Sequence, residues 1–174
     1  MMITYEKRHP EIGENVFIAA GVRLIGEVVI GNDSSVFFNS VLRADINSIT
    51  VGERTNIQDN CTVHVASDQP VLVGNDVTIG HNVVIHACRI GDNVTIGMSS
   101  TIMNGAVIGD NSIVAAGSLI TRNKVFPDGV LILGNPAKVI RELTGDEIAG
   151  NRKMAIKYRG VKDNYLLDAR EEAP

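Results

Sequence analysis

A chain of 174 residues has room for one domain with a substantial core. Hydrophobic residues make up 44% of it but aromatics only 4%, with no Trp, so the core has to be built from Val, Ile, Leu and Ala in many small units. A net charge of −4 leaves no basic footprint for nucleic acid, and no apolar run approaches the length of a membrane span.

The N-terminal stretch MMITYEKRHP lacks the apolar segment of a secretory signal. Cys61 and Cys88 are too few for a disulfide framework and fit a reduced compartment, so a cytoplasmic location is expected. From Ile12 onward an aliphatic residue returns every six positions: Ile12, Ile18, Leu24, Ile30, Val36, Leu42. After a nine-residue step the series resumes at Val51, Ile57 and Val63, and after a ten-residue step at Val73, Ile79 and Ile85. A five-residue step then leads to Ile90, Ile96, Ile102, Ile108, Val114, Ile120, Phe126 and Ile132. Each unit reads as a short strand with one inward residue, followed by a turn whose Gly or Asn takes up an unusual backbone angle. Such units cannot bury an apolar face alone and must stack into an all-β solenoid. Segments 43–50 and 64–72 read as the two longer loops.

The pattern ends near GNPAKVI, residues 134–140, which divides the chain into a solenoid over 1–140 and a C-terminal helical segment over 141–174. Thr144 stands before Asp146 and Glu147 as an N-cap with acidic first-turn residues. Ile148, Met154, Ile156, Tyr158 and Val161 are the residues expected to bury against the solenoid.

The six-residue repeat resembles that of hexapeptide-repeat proteins, and the resemblance implies a left-handed parallel β-helix in which three units close one triangular turn. In that geometry His64, one past Val63, and His86, one past Ile85, are one turn apart. Adjacent strands lie roughly 4.8 Å apart, close enough for two imidazoles to bind one ion through bonds of about 2.0–2.1 Å. His81, two past Ile79, belongs to a different face. Its separation from His86 is up to roughly 17 Å along near-extended chain. A threefold axis would bring His81 of an adjacent subunit to the pair, giving a homotrimer with metal sites at its interfaces. Arg43 lies one turn below His64, and Asp59 one turn below His81 with Gln58 beside it. An Arg on one face and an Asp on another suit a charge-assisted pair across such an interface. His9 falls outside the pattern and reads as an ordinary surface histidine.

At RADINSITVGERTNIQDNCTVH, residues 43–64, and IGHNVVIHACRIGDN, residues 79–93, the chain resembles the gamma-class carbonic anhydrases, and the likeness spans nearly its whole length. The short bacterial members, including those of phenylacetate- and carnitine-operon or ferripyochelin-binding type, are the most similar. The resemblance implies zinc, with iron or cobalt as substitutes, held by His64, His81 and His86. It assigns an interface pair to Arg43 and Asp59, with Asp45 in the same motif, a water-orienting role to Gln58 beside Asn56, and a hydroxyl near the metal to Tyr158. The implied reaction is attack of metal-bound hydroxide on CO2, a small-molecule substrate, to give bicarbonate. The segment after His64, VASDQPV, contains Asp68 and no Glu where the family prototype carries an acidic loop, which predicts slow proton export and weak turnover. The residues leave three alternatives open: a metal-dependent acyl-CoA thioesterase, a hexapeptide acyltransferase, and a non-catalytic metal-binding scaffold.

Overall fold

The computed structural model describes residues 1–171. It is a parallel β-solenoid of about seven turns followed by one helix. The six-residue phase is its organising rule: from Leu24 to Ile132 every inward residue of the series is buried. Ile12 and Ile18, in the terminal turn, are only partly covered. Three columns of inward residues give the solenoid three faces. An eight-stranded sheet forms one of them, running from Phe17–Ile18 through Asn56–Ile57 and Thr78–Ile79 to Val130–Gly134 and Ala137–Glu142. A twelve-stranded sheet wraps the other two. It turns the corner through two long strands, Arg23–Ile30 and Val41–Val51.

The second of these strands corrects the expectation of a loop over 43–50. Val41–Val51 is a single strand of 11 residues. It pairs with Arg23–Ile30 on one side and with Thr62–His64 and Val71–Val73 on the other. Residues 41–44 and 49–51 are paired, while residues 45–48 have no ladder partner and bulge out at the register shift between Gly26 and Val28 of the partner strand, so the expected loop survives only as this bulge. Residues 65–70 do form a loop, closed by an isolated bridge between Ala66 and Gln69.

The turns bear out the expectation for Asn: Asn and Asp hold most of the non-glycine left-handed positions, as at Asn60 (φ 59°) and Asn82 (φ 62°). Gly52 and Gly74 are required for a different reason. They stack in one column, and a Cβ on Gly52 would lie 2.6 Å from the Gly74 carbonyl carbon and oxygen. The turns pack too closely there for any side chain.

The solenoid ends in an antiparallel hairpin, Val130–Gly134 with Ala137–Glu142, so its sheet extends past residue 140. The helix, Gly145–Glu171, is continuous; residues 172–174 of the expected helical segment lie outside the described residues. Its start is a reciprocal cap: Glu147 N–H donates to Thr144 Oγ1 at 3.3 Å, and Thr144 N–H donates to Glu147 Oε2 at 2.9 Å.

The face by which it docks is only partly the apolar one expected: Ile148 and Val161 are half-buried, but Met154 and Ile156 are exposed. Asn151, Ala155 and Lys162 are buried and Tyr158 is half-buried. Spacings of four, three and four make one stripe along a helix. The stripe is largely polar because the solenoid offers it polar partners: Asn151 Nδ2 donates to the Asn93 and Ser112 carbonyls, and Thr95 donates to Asn151 Oδ1. Tyr158 and Tyr165 complete the contact by packing on Phe17 and Phe37.

Gly52→Ala is expected to destabilise the protein by about 1–3 kcal/mol, the usual cost of overpacking. Chemical denaturation of the variant beside the parent checks this; unchanged stability would mean that the turns can move apart.

Candidate metal centre

The parallel register brings two histidines together. His64 and His86 are the last residues of strands Thr62–His64 and Val84–His86, and pair directly, with Arg43 directly below His64. Their rings meet edge to face with centroids 5.0 Å apart. His64 Nδ1 lies 3.0 Å from His86 Nε2. The other nitrogen of each ring is also engaged: His64 Nε2 is 3.1 Å from Asp45 Oδ1, and His86 Nδ1 is 3.0 Å from Asn104 Oδ1. Asp45 is shared, because its second oxygen pairs with Arg43. Residues two apart on a strand point to the same side, so Arg43 and Asp45 meet within one chain. Burial pushes the Asp45 carboxyl up, but hydrogen bonds from Arg43 and His64 hold it below its ordinary value. Burial pushes His86 down and the charges of His64, Arg122 and Arg43 push the same way, against the Asn104 bond. His86 is therefore neutral near pH 7, the form that can bind a metal.

His81 is elsewhere. It follows strand Thr78–Ile79 on the eight-stranded sheet, away from the His64–His86 pair. Its Nδ1 is 2.7 Å from Asp59 Oδ2, and Asp59 Oδ1 accepts the Phe38 N–H at 3.1 Å. Asp59 thus orients His81 within the chain, while Arg43 is paired to Asp45. The His81 side chain is 44% exposed against 18% for His64, which leaves Nε2 open to a neighbour. Beside it is a recess of about 220 Å³ lined by Gln58, Thr78, Met98, Met154 and Tyr158. Gln58 lines it and Asn56 is buried behind Gln58: Gln58 Nε2 donates to Asn56 Oδ1 at 3.3 Å, and Asn56 Nδ2 donates to Thr78 Oγ1 at 2.9 Å. The helix carries Tyr158 to the rim, where burial first and the Asp59 charge second raise its phenol. Among the described residues of one chain, no three or more His, Cys, Asp or Glu side chains are arranged to hold a metal ion.

The candidate residues therefore fall into two groups on different faces: Arg43, Asp45, His64 and His86 in one, and Asn56, Gln58, Asp59, His81 and Tyr158 in the other. Asn104 was missed by sequence reasoning because an Asn-Gly pair reads first as a turn. Counting one turn on from Ile85 to Ile102 would have placed it two past the inward position, next to the His86 column.

The fold and site define a hexapeptide-repeat protein. The families described as Bacterial transferase hexapeptide (six repeats) and Hexapeptide repeat of succinyl-transferase match residues 87–122 and 48–87. More specifically, the chain belongs to the gamma carbonic anhydrase family. It is 50% identical to a Methanocaldococcus jannaschii protein named probable carbonic anhydrase, over 91% of this chain and 98% of that one. It is 44% identical to a carbonic anhydrase of Geobacillus kaustophilus, over 91% and 87%. A solved hexapeptide transferase family protein from Anaplasma phagocytophilum superimposes with a TM-score of 0.91 at 41% identity, covering 95% of this chain and 98% of that one.

In metal-free protein His86 is expected to titrate below 6.5, as followed by its ring resonances. The unfolded chain then takes up a proton below pH 6.5 that the folded one refuses. Stability should fall as pH drops from 6.5 to the folded value and level off beneath it. A His86 titrating above 6.5 would contradict this.

Proposed function

We propose that this protein is a metal-dependent carbonic anhydrase that converts CO2 and water to bicarbonate and a proton, at sites shared between the subunits of a homotrimer. The observation that carries the reading is the pair of half-sites. Two imidazole nitrogens 3.0 Å apart are close to the roughly 3.3 Å that two bonds of about 2.0–2.1 Å make at a tetrahedral angle. A third imidazole, oriented by a carboxylate and open to solvent, lies on another face of the same chain. His64 and His86 of one subunit with His81 of the partner subunit make a neutral three-nitrogen set that fits zinc, with iron or cobalt as substitutes.

A divalent cation in such a set supplies Lewis acidity that makes water a nucleophile at neutral pH. The chain's own residues do the rest. Gln58, fixed by Asn56, accepts a hydrogen bond from the attacking water through Oε1 and sets its direction. Tyr158, with its phenol raised, keeps its proton and donates a hydrogen bond to the oxygens of the forming bicarbonate. Asp45 and Asp59 hold His64 and His81 in orientation, and Arg43 fixes Asp45. The proton must leave to solvent, and the loop after His64 offers only Asp68 as a carboxylate. Membership in a family whose members are named carbonic anhydrases supports this substrate over an acyl thioester. The transferase repeat family it also matches is the reason to run acyl transfer as a control.

Stopped-flow CO2 hydration on zinc-, iron- and cobalt-loaded protein tests the reading. His64→Ala and His81→Ala proteins should each be inactive with the solenoid intact. Assembled together from equal amounts, they should regain about a quarter of the parental sites, because some interfaces then join two intact halves. No recovery in confirmed mixed trimers would show that the halves do not meet. Acetyl transfer from acetyl-CoA that survives metal removal would replace this reading with acyl transfer.

Turnover is also expected to rise with buffer concentration at constant pH, since an external base has to carry the proton. A rate independent of buffer would place a fast proton path inside the protein.

A further inference from the structure

Beyond the expected ligands, each of the three histidines has its remaining nitrogen against a side-chain oxygen: His64 against Asp45, His81 against Asp59, and His86 against Asn104. The first two partners are carboxylates, which accept from a ring N–H. The third is a neutral amide whose oxygen is 3.0 Å from His86 Nδ1.

We infer that Asn104 is a positioning residue for metal binding: its Oδ1 holds the His86 proton on Nδ1, so that Nε2 is bare where the ion is taken up. The count of protons between the rings is consistent with it when Asn104 Oδ1 faces the ring. The Asp45 carboxylate keeps the His64 proton on Nε2, and Asn104 keeps the His86 proton on Nδ1. Each neutral imidazole has one N–H, so both facing nitrogens, His64 Nδ1 and His86 Nε2, are then lone pairs. Two lone pairs 3.0 Å apart repel unless a cation stands between them. The arrangement is thus set to take up a positive ion before one arrives. Partners of this kind fix ring tautomer and ligand basicity, and losing one typically costs metal affinity. Asn104 sits in the turn beyond strand Thr101–Ile102, so the solenoid stacking that joins His64 to His86 also supplies the acceptor.

The inference rests on the metal reading, and its test has an arm that does not. Zinc affinity is measured by chelator competition on assembled protein for the parent, Asn104→Leu and Asn104→Asp, with circular dichroism and sedimentation to confirm fold and assembly. Asn104→Leu should bind zinc about 10–100-fold more weakly, and Asn104→Asp, which retains an acceptor, should recover most of that loss. In parallel, long-range 1H–15N correlation on metal-free protein above the His86 titration should show the Nδ1–H tautomer in the parent and Asn104→Asp, and its loss in Asn104→Leu. Zinc binding by Asn104→Leu as tight as the parent's would overturn the inference, as would Asn104→Asp binding no better than Asn104→Leu. If the parent binds no zinc, the metal reading fails by itself. The tautomer in the metal-free spectra then decides the role of Asn104, and an Nε2–H ring in the parent would refute it.

Discussion

The parallel register between successive turns is the constraint on which everything else depends. A solenoid turn can bury its aliphatic side chains only by stacking on the next, and the strand ladders hold that stacking residue against residue. Val63 covers Ile85, and as a direct consequence His64 covers His86. Gly52 and Gly74 permit the close approach, since a side chain at either would force the turns apart. The site is therefore a by-product of core packing: the inward residues are chosen for burial, and whatever follows them in sequence forms columns on the outside.

In the proposed reaction two columns would share the chemistry. The His64–His86 pair sits where the chain itself supplies Arg43 and Asp45, a charged support that keeps a carboxylate ionised beside an imidazole. The His81 column includes Gln58, held by Asn56, and receives Tyr158 from the helix. That helix is held by Asn151 and by aromatic packing, so the placement of Tyr158 depends on contacts remote from the recess. Neither column has three ligands. Joined through the proposed threefold axis, one would provide two nitrogens and the other the third nitrogen with the groups that would orient water and substrate.

Much of this could be read from the residues because a strict period turns sequence distance into spatial address. Once the resemblance to hexapeptide-repeat proteins set three units to a turn, counting from Val63 to Ile85 stacked the histidines, and a count along another column separated His81 from them. Reading failed where the period did not govern. The strand through 43–50 looked like a loop because its side chains leave the six-residue phase, but only residues 45–48 leave the ladder, as a bulge between paired ends. The helix was expected to dock by its apolar residues, but the surface it meets presents carbonyls and hydroxyls, so Asn151 is buried and Ile156 is not. Within one chain Arg43 pairs with Asp45, two residues away, a contact that the column count did not register. Asn104 escaped because its residue type has a commoner structural use.

Anomalous diffraction at the zinc edge from crystals of the assembled protein tests the central claim most directly. The account predicts one peak per subunit, within bonding distance of His64 Nδ1 and His86 Nε2 of one chain and of His81 Nε2 of the next. A peak ligated by a single chain, or crystals of zinc-supplied trimer with no peak at that interface, would contradict it.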